Sequence, residues 1–199
     1  LFEQSVDLPK PSKSGWEAAE RDVDTARQVA AHTLYDEGGV ASILALARRA
    51  SAAGYIGKAL YDGGLSDTDL ESLLKSALLS ADAHERDVAH GLIISVFSDR
   101  KEPWAAALIA KAKHEAWGDT ALLTILRALP VQRWTWDQAA QAGSTIEETY
   151  WRRAPVFWMS ESSDDIIFAI RKLISVGRAR HALPLAERGS KATLPSEVL

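Results

Sequence analysis

The chain has 199 residues, a formal net charge of −4 and no cysteine, and 47% of its residues are hydrophobic against 25% charged. This composition predicts a folded protein with a substantial core, and it excludes a disulfide framework, an all-cysteine zinc site and thiol catalysis. The longest uninterrupted apolar stretch, residues 104–110, is far shorter than the roughly 20 residues of a membrane-spanning helix. We therefore expect a soluble protein and assign it to the cytoplasm.

Two segments without helical periodicity flank the rest of the chain. Residues 1–15 contain Pro9 and Pro11 among Ser and Lys, which is typical of a linker. Residues 189–199 are again small and polar, which predicts a C-terminal tail. Residues 16–188 then form one helical domain, and we expect the whole to be a fragment of a larger multidomain protein.

The first half of that domain is predicted to be a series of helices. The pattern predicts a long helix from about Trp16 to Glu37, a second over residues 40–53 and a short third ending at Asp62. A fourth starts at Ser66 or Asp67, and a single apolar stripe along it is formed by Leu70, Leu73, Leu74, Ala77 and Leu78. No sustained alternation of apolar and polar residues marks a strand, so the predicted fold class is all-α.

The second half continues the same pattern. A helix over residues 84–97 is apolar nearly all round, so we expect it to lie centrally, with neighbours on both sides. Pro103 suits the first turn of the next helix, which ends by Gly118. Asp119 and Asp164 open two further helices, whose apolar stripes are Leu122, Ile125, Leu126 and Leu129 in one and Ile166, Ile170, Leu173 and Ile174 in the other. About ten short helices joined by brief turns predict an α-α superhelix of about five antiparallel hairpins stacked in chain order.

Two internal echoes support hairpin repeats. The segment 60–65 (LYDGGL) repeats 34–40 (LYDEGGV). Seven apolar or small positions between Ile43 and Leu60 match those between Ile166 and Leu183 at a constant offset. In both, a helix ends at Gly and an Ala-Leu pair follows, at Ala59-Leu60 and at Ala182-Leu183.

At these residues the chain resembles tetratricopeptide-type helical hairpins, and HEAT-type hairpins are an equally open alternative. The resemblance covers about a quarter of the chain. It implies a non-catalytic scaffold or peptide-binding module. Separately, we expect no cofactor. A second interpretation is a regulatory or sensor region of a signalling NTPase. A third is a HEAT-like nucleic-acid-binding or DNA-repair domain, in which a carboxylate such as Asp137 accompanies Trp.

Charge weighs against that third interpretation. Residues 1–149 carry 15 Lys and Arg against 22 Asp and Glu, and residues 150–199 carry 8 against 5. A DNA enzyme needs a contiguous basic track for phosphates, and the acidic first three quarters of the chain does not provide one. We therefore expect a protein or peptide partner rather than nucleic acid or membrane.

The densest aromatic segment is the candidate partner surface. Trp, Tyr and Arg dominate interface hot spots, and this segment combines all three. The partner-binding candidates are Trp134, Trp136, Tyr150, Trp151, Arg152 and Arg153. The alternative interpretation is that these bulky side chains seal the core between short helices.

Three other patterns favour ordinary structure over chemistry. His84 and His90 lie six residues apart and so diverge on a helix, which predicts no metal site for the cluster of His84, Glu85, Asp87 and His90. The alternating carboxylates at Asp67, Asp69 and Glu71 indicate helix capping rather than a calcium loop. Residues 54–58 (GYIGK) resemble a phosphate-binding loop in composition. They lack its spacing and its Ser or Thr, so we predict a turn between helices rather than a nucleotide site.

Overall fold

The computed structural model describes residues 1–3, 16–155 and 162–189. All the regular elements in those ranges are helices, which confirms the all-α fold class. The chain divides into two compact units, Leu1–Ala128 and Leu129–Leu199. Most of the predicted linker (residues 4–15) and of the predicted tail (residues 190–199) lies outside the described residues.

The first unit contains five helices within the described residues. They are α1 (Trp16–Ala47), α2 (Gly54–Asp62), α3 (Asp67–Leu78), α4 (Ala83–His114) and α5 (Asp119–Ala128). The predicted central helix corresponds to the first part of α4, and α4 as a whole packs against α1, α2, α3 and α5. The most extensive packing joins α2 to α4, which are not neighbours in the chain. Stacking in chain order therefore describes this unit only in part.

Helix α1 is broken where the sequence predicts a break. Gly39 has φ 60° and ψ −152°, a conformation that glycine adopts readily because it lacks a Cβ. The chain turns at this residue and resumes helical geometry at once, so α1 consists of two helical segments without an intervening loop. The second segment ends at Ala47, earlier than the predicted residue 53.

Helix α3 agrees closely with its predicted pattern. The Ser66 hydroxyl accepts a hydrogen bond from the Asp69 N–H at 3.2 Å and so caps the N-terminus. Asp67 and Asp69 lie in the first turn, where carboxylates complement the helix dipole. The five apolar residues of the predicted stripe are all buried.

Helix α4 is interrupted near its middle at Lys101, which has φ 57° and ψ −157°. Pro103 explains the interruption, because its ring would clash with the carbonyl of Asp99 in a continuous helix and it has no N–H to donate. The second segment of α4 therefore begins around Pro103, as the sequence predicts. This segment ends at His114 rather than at Gly118, because Ala116 takes up the left-handed conformation (φ 54°) and the Trp117 N–H donates to the Ala112 carbonyl at 2.9 Å.

The echoed Leu-Tyr-Asp segments have the same tertiary role but different turns. The Tyr35 hydroxyl donates to Asp69 at 2.9 Å, and the Tyr61 hydroxyl donates to Asp99 at 3.0 Å, so each tyrosine ties its helix to a later one. Burial and the Asp69 carboxylate together raise the pKa of Tyr35 to about 12. In the second segment α2 ends at Asp62 and Gly64 follows with φ 96°, whereas the first segment leads directly into the remainder of α1.

The first three residues, which the sequence assigns to a linker, pack against this unit. Phe2 is buried, and its carbonyl accepts from the Ala52 N–H at 3.1 Å. The Leu1 carbonyl accepts from Arg27 Nε at 2.8 Å. The turn between α1 and α2 is therefore covered by the start of the chain.

The second unit contains α6 (Arg133–Gln141), α7 (Ser144–Arg153), α8 (Ser163–Ser175) and α9 (Ala179–Gly189) within the described residues. Ser162 caps α8, and Gly177 ends it with φ 77°. Three residues of the predicted stripe of α8 are buried, whereas Ile174 is half exposed. The two segments that match at a constant offset in the sequence differ in burial at their last position. Leu60 is fully buried, whereas Leu183 is 62% exposed and Leu185 is buried instead.

Candidate functional site: a groove between helices α2 and α4

The aromatic candidates for a partner surface belong mainly to the core of the second unit. Trp136, Tyr150 and Trp151 have no exposed surface. The Trp136 ring stacks on Phe168 with centroids 5.5 Å apart and lies 5.3 Å from the Trp151 ring. The prediction that these three side chains meet a partner is therefore wrong, and the core interpretation describes them.

The reason lies in which faces of α6 and α7 carry the aromatic rings. These rings fill the space between α6, α7 and α8, where they bury a large apolar area. The same enclosure raises the pKa of the Tyr150 hydroxyl, because burial disfavours the phenolate.

The other three candidates lie nearer the surface. Trp134 is half-buried, and Arg152 and Arg153 are exposed. Arg152 pairs with Glu148 of the same helix at 2.6 Å, an arrangement that stabilises an exposed helix by a few tenths of a kcal/mol. The structure does not bring these three side chains together with the buried rings into one exposed surface.

A groove in the first unit is better placed to bind a partner. It lies between α2 and α4 and has a volume of about 470 Å³, within the range of known ligand pockets. Its lining residues come from the turn before α2, from α2 itself and from the first segment of α4: Ala52, Gly54, Tyr55, Lys58, Asp62, His90, Gly91, Ile94, Ser95, Ser98 and Asp99.

Glycines allow the two helices beside the groove to touch through their backbones. A Cβ at Gly91 would lie 1.9 Å from the carbonyl oxygen of Gly54, and one at Gly57 would lie 2.1 Å from the carbonyl oxygen of Val88. Neither distance is compatible with a side chain. The close crossing therefore depends on glycine at both positions.

Two apolar side chains beside this crossing are exposed. Tyr55 is 41% exposed and Ile94 is 49% exposed, and both line the groove. The Arg27 guanidinium lies 4.1 Å from the centre of the Tyr55 ring, which fixes the ring on one face. The groove thus presents an aromatic and an aliphatic side chain in defined positions.

Charged groups gather at the end of the groove where α2 finishes. Lys58 Nζ pairs with Asp62 and also lies 3.6 Å from Asp24 Oδ2. The Asp62 carboxylate raises the pKa of Lys58. Asp99 accepts a hydrogen bond from Tyr61 and forms no salt bridge among the described residues. Asp24 also pairs with Arg27 at 3.2 Å, and the Lys101 ammonium donates to the carbonyl of Ser98, so the carboxylates at this end are matched by nearby cations.

His90 lies at the other end of the groove, beside Gly54. Burial lowers the pKa of His90, while the backbone carbonyl of Arg127 and the Asp87 carboxylate act in the opposite direction. The Arg127 carbonyl accepts a hydrogen bond from the ring. The neutral imidazole is therefore the favoured form near neutral pH.

The cluster of His84, Glu85, Asp87 and His90 lies in the first turns of α4, where His84 and Asp87 are exposed and His90 is half-buried. Glu85 is only 3% exposed, and Arg48 Nε lies 2.5 Å from its Oε1. Asp82, not a residue of the cluster, caps α4 by accepting from the N–H groups of His84 and Glu85. Within the described ranges, no group of three or more His, Asp or Glu side chains is arranged to hold a metal ion.

Sequence reasoning overlooked the groove because its residues were assigned to other roles. Gly54, Tyr55 and Lys58 belong to the segment interpreted as a turn, whereas they form the first turns of α2. Ile94 belongs to the helix predicted to be covered all round. The spacing of Gly54 and Gly57, with Gly91 on a second helix, was the available signal, because small residues mark close helix crossings.

A comparison of this chain with protein-family models, with curated proteins and with solved structures found no match. None of the described helices combines the length and apolar character needed to cross a bilayer.

Proposed function

We propose that this chain is a non-catalytic helical module that binds a segment of another protein, and that the groove between α2 and α4 is its binding surface. The observation that carries the proposal is the exposure of Tyr55 and Ile94 on either side of a glycine crossing. Large apolar side chains held in position beside a concavity are the usual anchors of protein interfaces.

The polar groups around the groove support a binding role rather than a catalytic one. Lys58 is engaged by two carboxylates, and Asp99 receives the Tyr61 hydroxyl. These contacts hold the helices in place and leave the apolar walls open. We retain the helical-hairpin interpretation, of the tetratricopeptide or HEAT kind, as a part of this proposal.

A displayed library of peptides of about 16 residues, long enough to form a helix, tests the proposal. The library is selected on the parent chain, and each enriched peptide is then measured on a Tyr55→Ser/Ile94→Ser variant. We expect the enriched peptides to lose at least about tenfold in affinity on this variant, since truncating a hot-spot side chain costs more than about 1.4 kcal/mol.

A matched control removes an exposed apolar side chain elsewhere. Val29 lies on α1, is 63% exposed and does not line the groove. The Val29→Ser variant should bind the same peptides as tightly as the parent. Circular dichroism and thermal unfolding verify that all the variants fold. Peptides that bind the folded double variant as well as the parent would contradict the assignment of the groove.

A further inference from the structure

Arg27 of α1 is a nearly buried cation that contacts one wall of the groove. Only 9% of its surface is exposed. Its Nε donates to the Leu1 carbonyl at 2.8 Å, and its Nη1 donates to Asp24 Oδ1 at 3.2 Å. The guanidinium carbon lies 4.1 Å from the centre of the Tyr55 ring. Because a buried charge is stable only where it is paired and hydrogen-bonded, these contacts hold the guanidinium in one position.

Tyr55 depends on this cation more than the other tyrosines of the first unit depend on any single group. The hydroxyl groups of Tyr35 and Tyr61 donate to carboxylates of later helices. Within the described residues the Tyr55 hydroxyl has no such partner, and 41% of the residue is exposed. A cation attracts the face of an aromatic ring, and more strongly when the cation is removed from water. The guanidinium is therefore the polar contact that fixes the orientation of Tyr55.

Residues 1–3 pack on the turn that leads into α2. Phe2 is buried, and its carbonyl accepts from the Ala52 N–H at 3.1 Å. This packing places the preceding carbonyl, that of Leu1, where it accepts from Arg27. Because Ala52 lines the groove as well, residues 1–3 contact the groove wall directly at Ala52 and act on Tyr55 through Arg27.

We infer that Arg27 is a positioning residue for Tyr55 and that residues 1–3 control it. While residues 1–3 are packed on the turn, the Leu1 carbonyl holds the guanidinium over the ring, and the ring keeps the orientation that a partner meets. When this packing is lost, the guanidinium lacks an acceptor and turns toward water, so Tyr55 samples more orientations. Binding at the groove then weakens, because the partner must immobilise the ring. The effect on binding rests on the proposed function, whereas the effect on Tyr55 does not.

Nuclear magnetic resonance of the chain with isotopically labelled tyrosine rings tests the positioning of Tyr55 without any partner. The spectrum of Tyr55→Phe assigns the signals of this ring. In Arg27→Met and in Phe2→Ser we expect the Tyr55 signals to move toward those of tyrosine in an unfolded peptide, while the signals of Tyr35 and Tyr61 stay in place. A general loss of structure would move all three sets of signals. Unchanged Tyr55 signals in a folded Phe2→Ser variant would overturn the inference.

The groove-dependent peptides from the displayed library test the effect on binding. We expect Arg27→Met and Phe2→Ser each to weaken binding about fivefold, the loss that results when a partner must immobilise one more side chain. The double variant should bind about as weakly as either single variant, because both substitutions release the same ring. Losses that multiply to about 25-fold in the double variant would show two independent effects. That result would overturn the control of Arg27 by residues 1–3.

A matched control removes another arginine of α1. Arg21 is exposed, its Nε donates to the Glu17 carbonyl at 3.2 Å, and it does not line the groove. Arg21→Met should leave the Tyr55 signals and the peptide affinity unchanged, and an equal loss in this control would overturn the inference. If Phe2→Ser does not fold, Glu3→Ala takes its place, since it removes only the exposed contact in which the Ser51 hydroxyl donates to the Glu3 carboxylate.

Two outcomes separate this inference from the proposed function. If no peptide depends on Tyr55 and Ile94, the proposed function fails, and the ring signals alone decide whether residues 1–3 position Tyr55. If peptides depend on Tyr55 and Ile94 but bind Arg27→Met as tightly as the parent, the groove remains a binding surface and the inference is overturned.

Discussion

Gly91 of α4 lies against Gly54 of α2 so closely that a Cβ on Gly91 would come within 1.9 Å of the Gly54 carbonyl oxygen. This contact brings the backbones of two helices together beside the candidate groove. The position of α2 therefore depends on residue 91 being glycine. The distance between Tyr55 and Ile94 depends on it as well.

The substitution Gly91→Ala should therefore destabilise the first unit. The added Cβ would lie against a backbone atom and must push the helices apart, so we expect the upper part of the usual overpacking cost of about 1–3 kcal/mol, which exceeds the gain of roughly 1 kcal/mol in helix propensity. Chemical denaturation measures the change in the free energy of unfolding. Gly54→Ala is the matched control, because its Cβ would meet its nearest neighbour at an ordinary 3.4 Å. A stability of Gly91→Ala equal to that of the control would refute the close crossing.

Replacing Lys101 by glycine should stabilise the chain. Lys101 has φ 57° and ψ −157°, and a side chain held in this region costs of order 1–3 kcal/mol. Glycine relieves that strain but adds entropy to the unfolded chain, so we expect a net gain of about 1 kcal/mol in unfolding free energy. Lys101→Ala keeps the Cβ and should show no gain, which separates backbone strain from loss of the lysine charge. Equal effects of the two substitutions would argue against strain at this residue.

The buried carboxylate of Glu85 should make Arg48 important for stability. Removal of the cation in Arg48→Ala leaves Glu85 enclosed without its partner. Because Arg48 itself is exposed, we expect a loss of about 1–3 kcal/mol, below the cost of breaking a fully buried pair. The neighbouring exposed Arg49 provides the control in Arg49→Ala. Adding Glu85→Gln to Arg48→Ala should recover a part of the loss, and a double variant less stable than Arg48→Ala would contradict the pairing.

Acidification should destabilise the first unit through His90. Burial lowers the pKa of His90 in the folded chain, so below about pH 6.5, the ordinary pKa of histidine, the unfolded chain binds a proton that the folded chain resists. Stability is therefore full above that pH and falls as the pH decreases toward the folded pKa.

The measurement is the change in Tm between about pH 7.5 and about pH 5.5, a range that brackets the ordinary histidine pKa. His90→Gln should reduce this change, whereas His84→Gln, at an exposed position, should not. If both variants respond to pH as the parent does, burial of His90 does not control the acid response.

The fold class and most helices followed from local patterns. The stripe of α3, its Ser66 cap and the start of the second segment of α4 at Pro103 depend on interactions within a few residues, which the sequence displays directly. The ends of helices were less accurate. Helix α4 ends at His114, before the predicted Gly118, with Ala116 in the left-handed conformation and the Trp117 side chain buried, which a local pattern does not indicate.

The candidate site was the least predictable feature. Aromatic side chains close together in the sequence suggested a surface, yet Trp136, Tyr150 and Trp151 face inward, because the side of a helix that becomes core is decided by the helices that pack on it. Conversely, Tyr55 and Ile94, which lie far apart in the chain, come together only because α2 crosses α4.

The sequence by itself determined that the chain is helical, where several of its helices begin, and that no cysteine chemistry is available, because composition, caps and helical periodicity are local properties. The tertiary structure alone decided that α2 packs on α4 and that the resulting groove is lined by Tyr55 and Ile94 with carboxylates at one end. The physical reason is that this packing depends on contacts between residues more than 30 positions apart, such as Gly54 with Gly91, and periodicity within a helix carries no information about its partner.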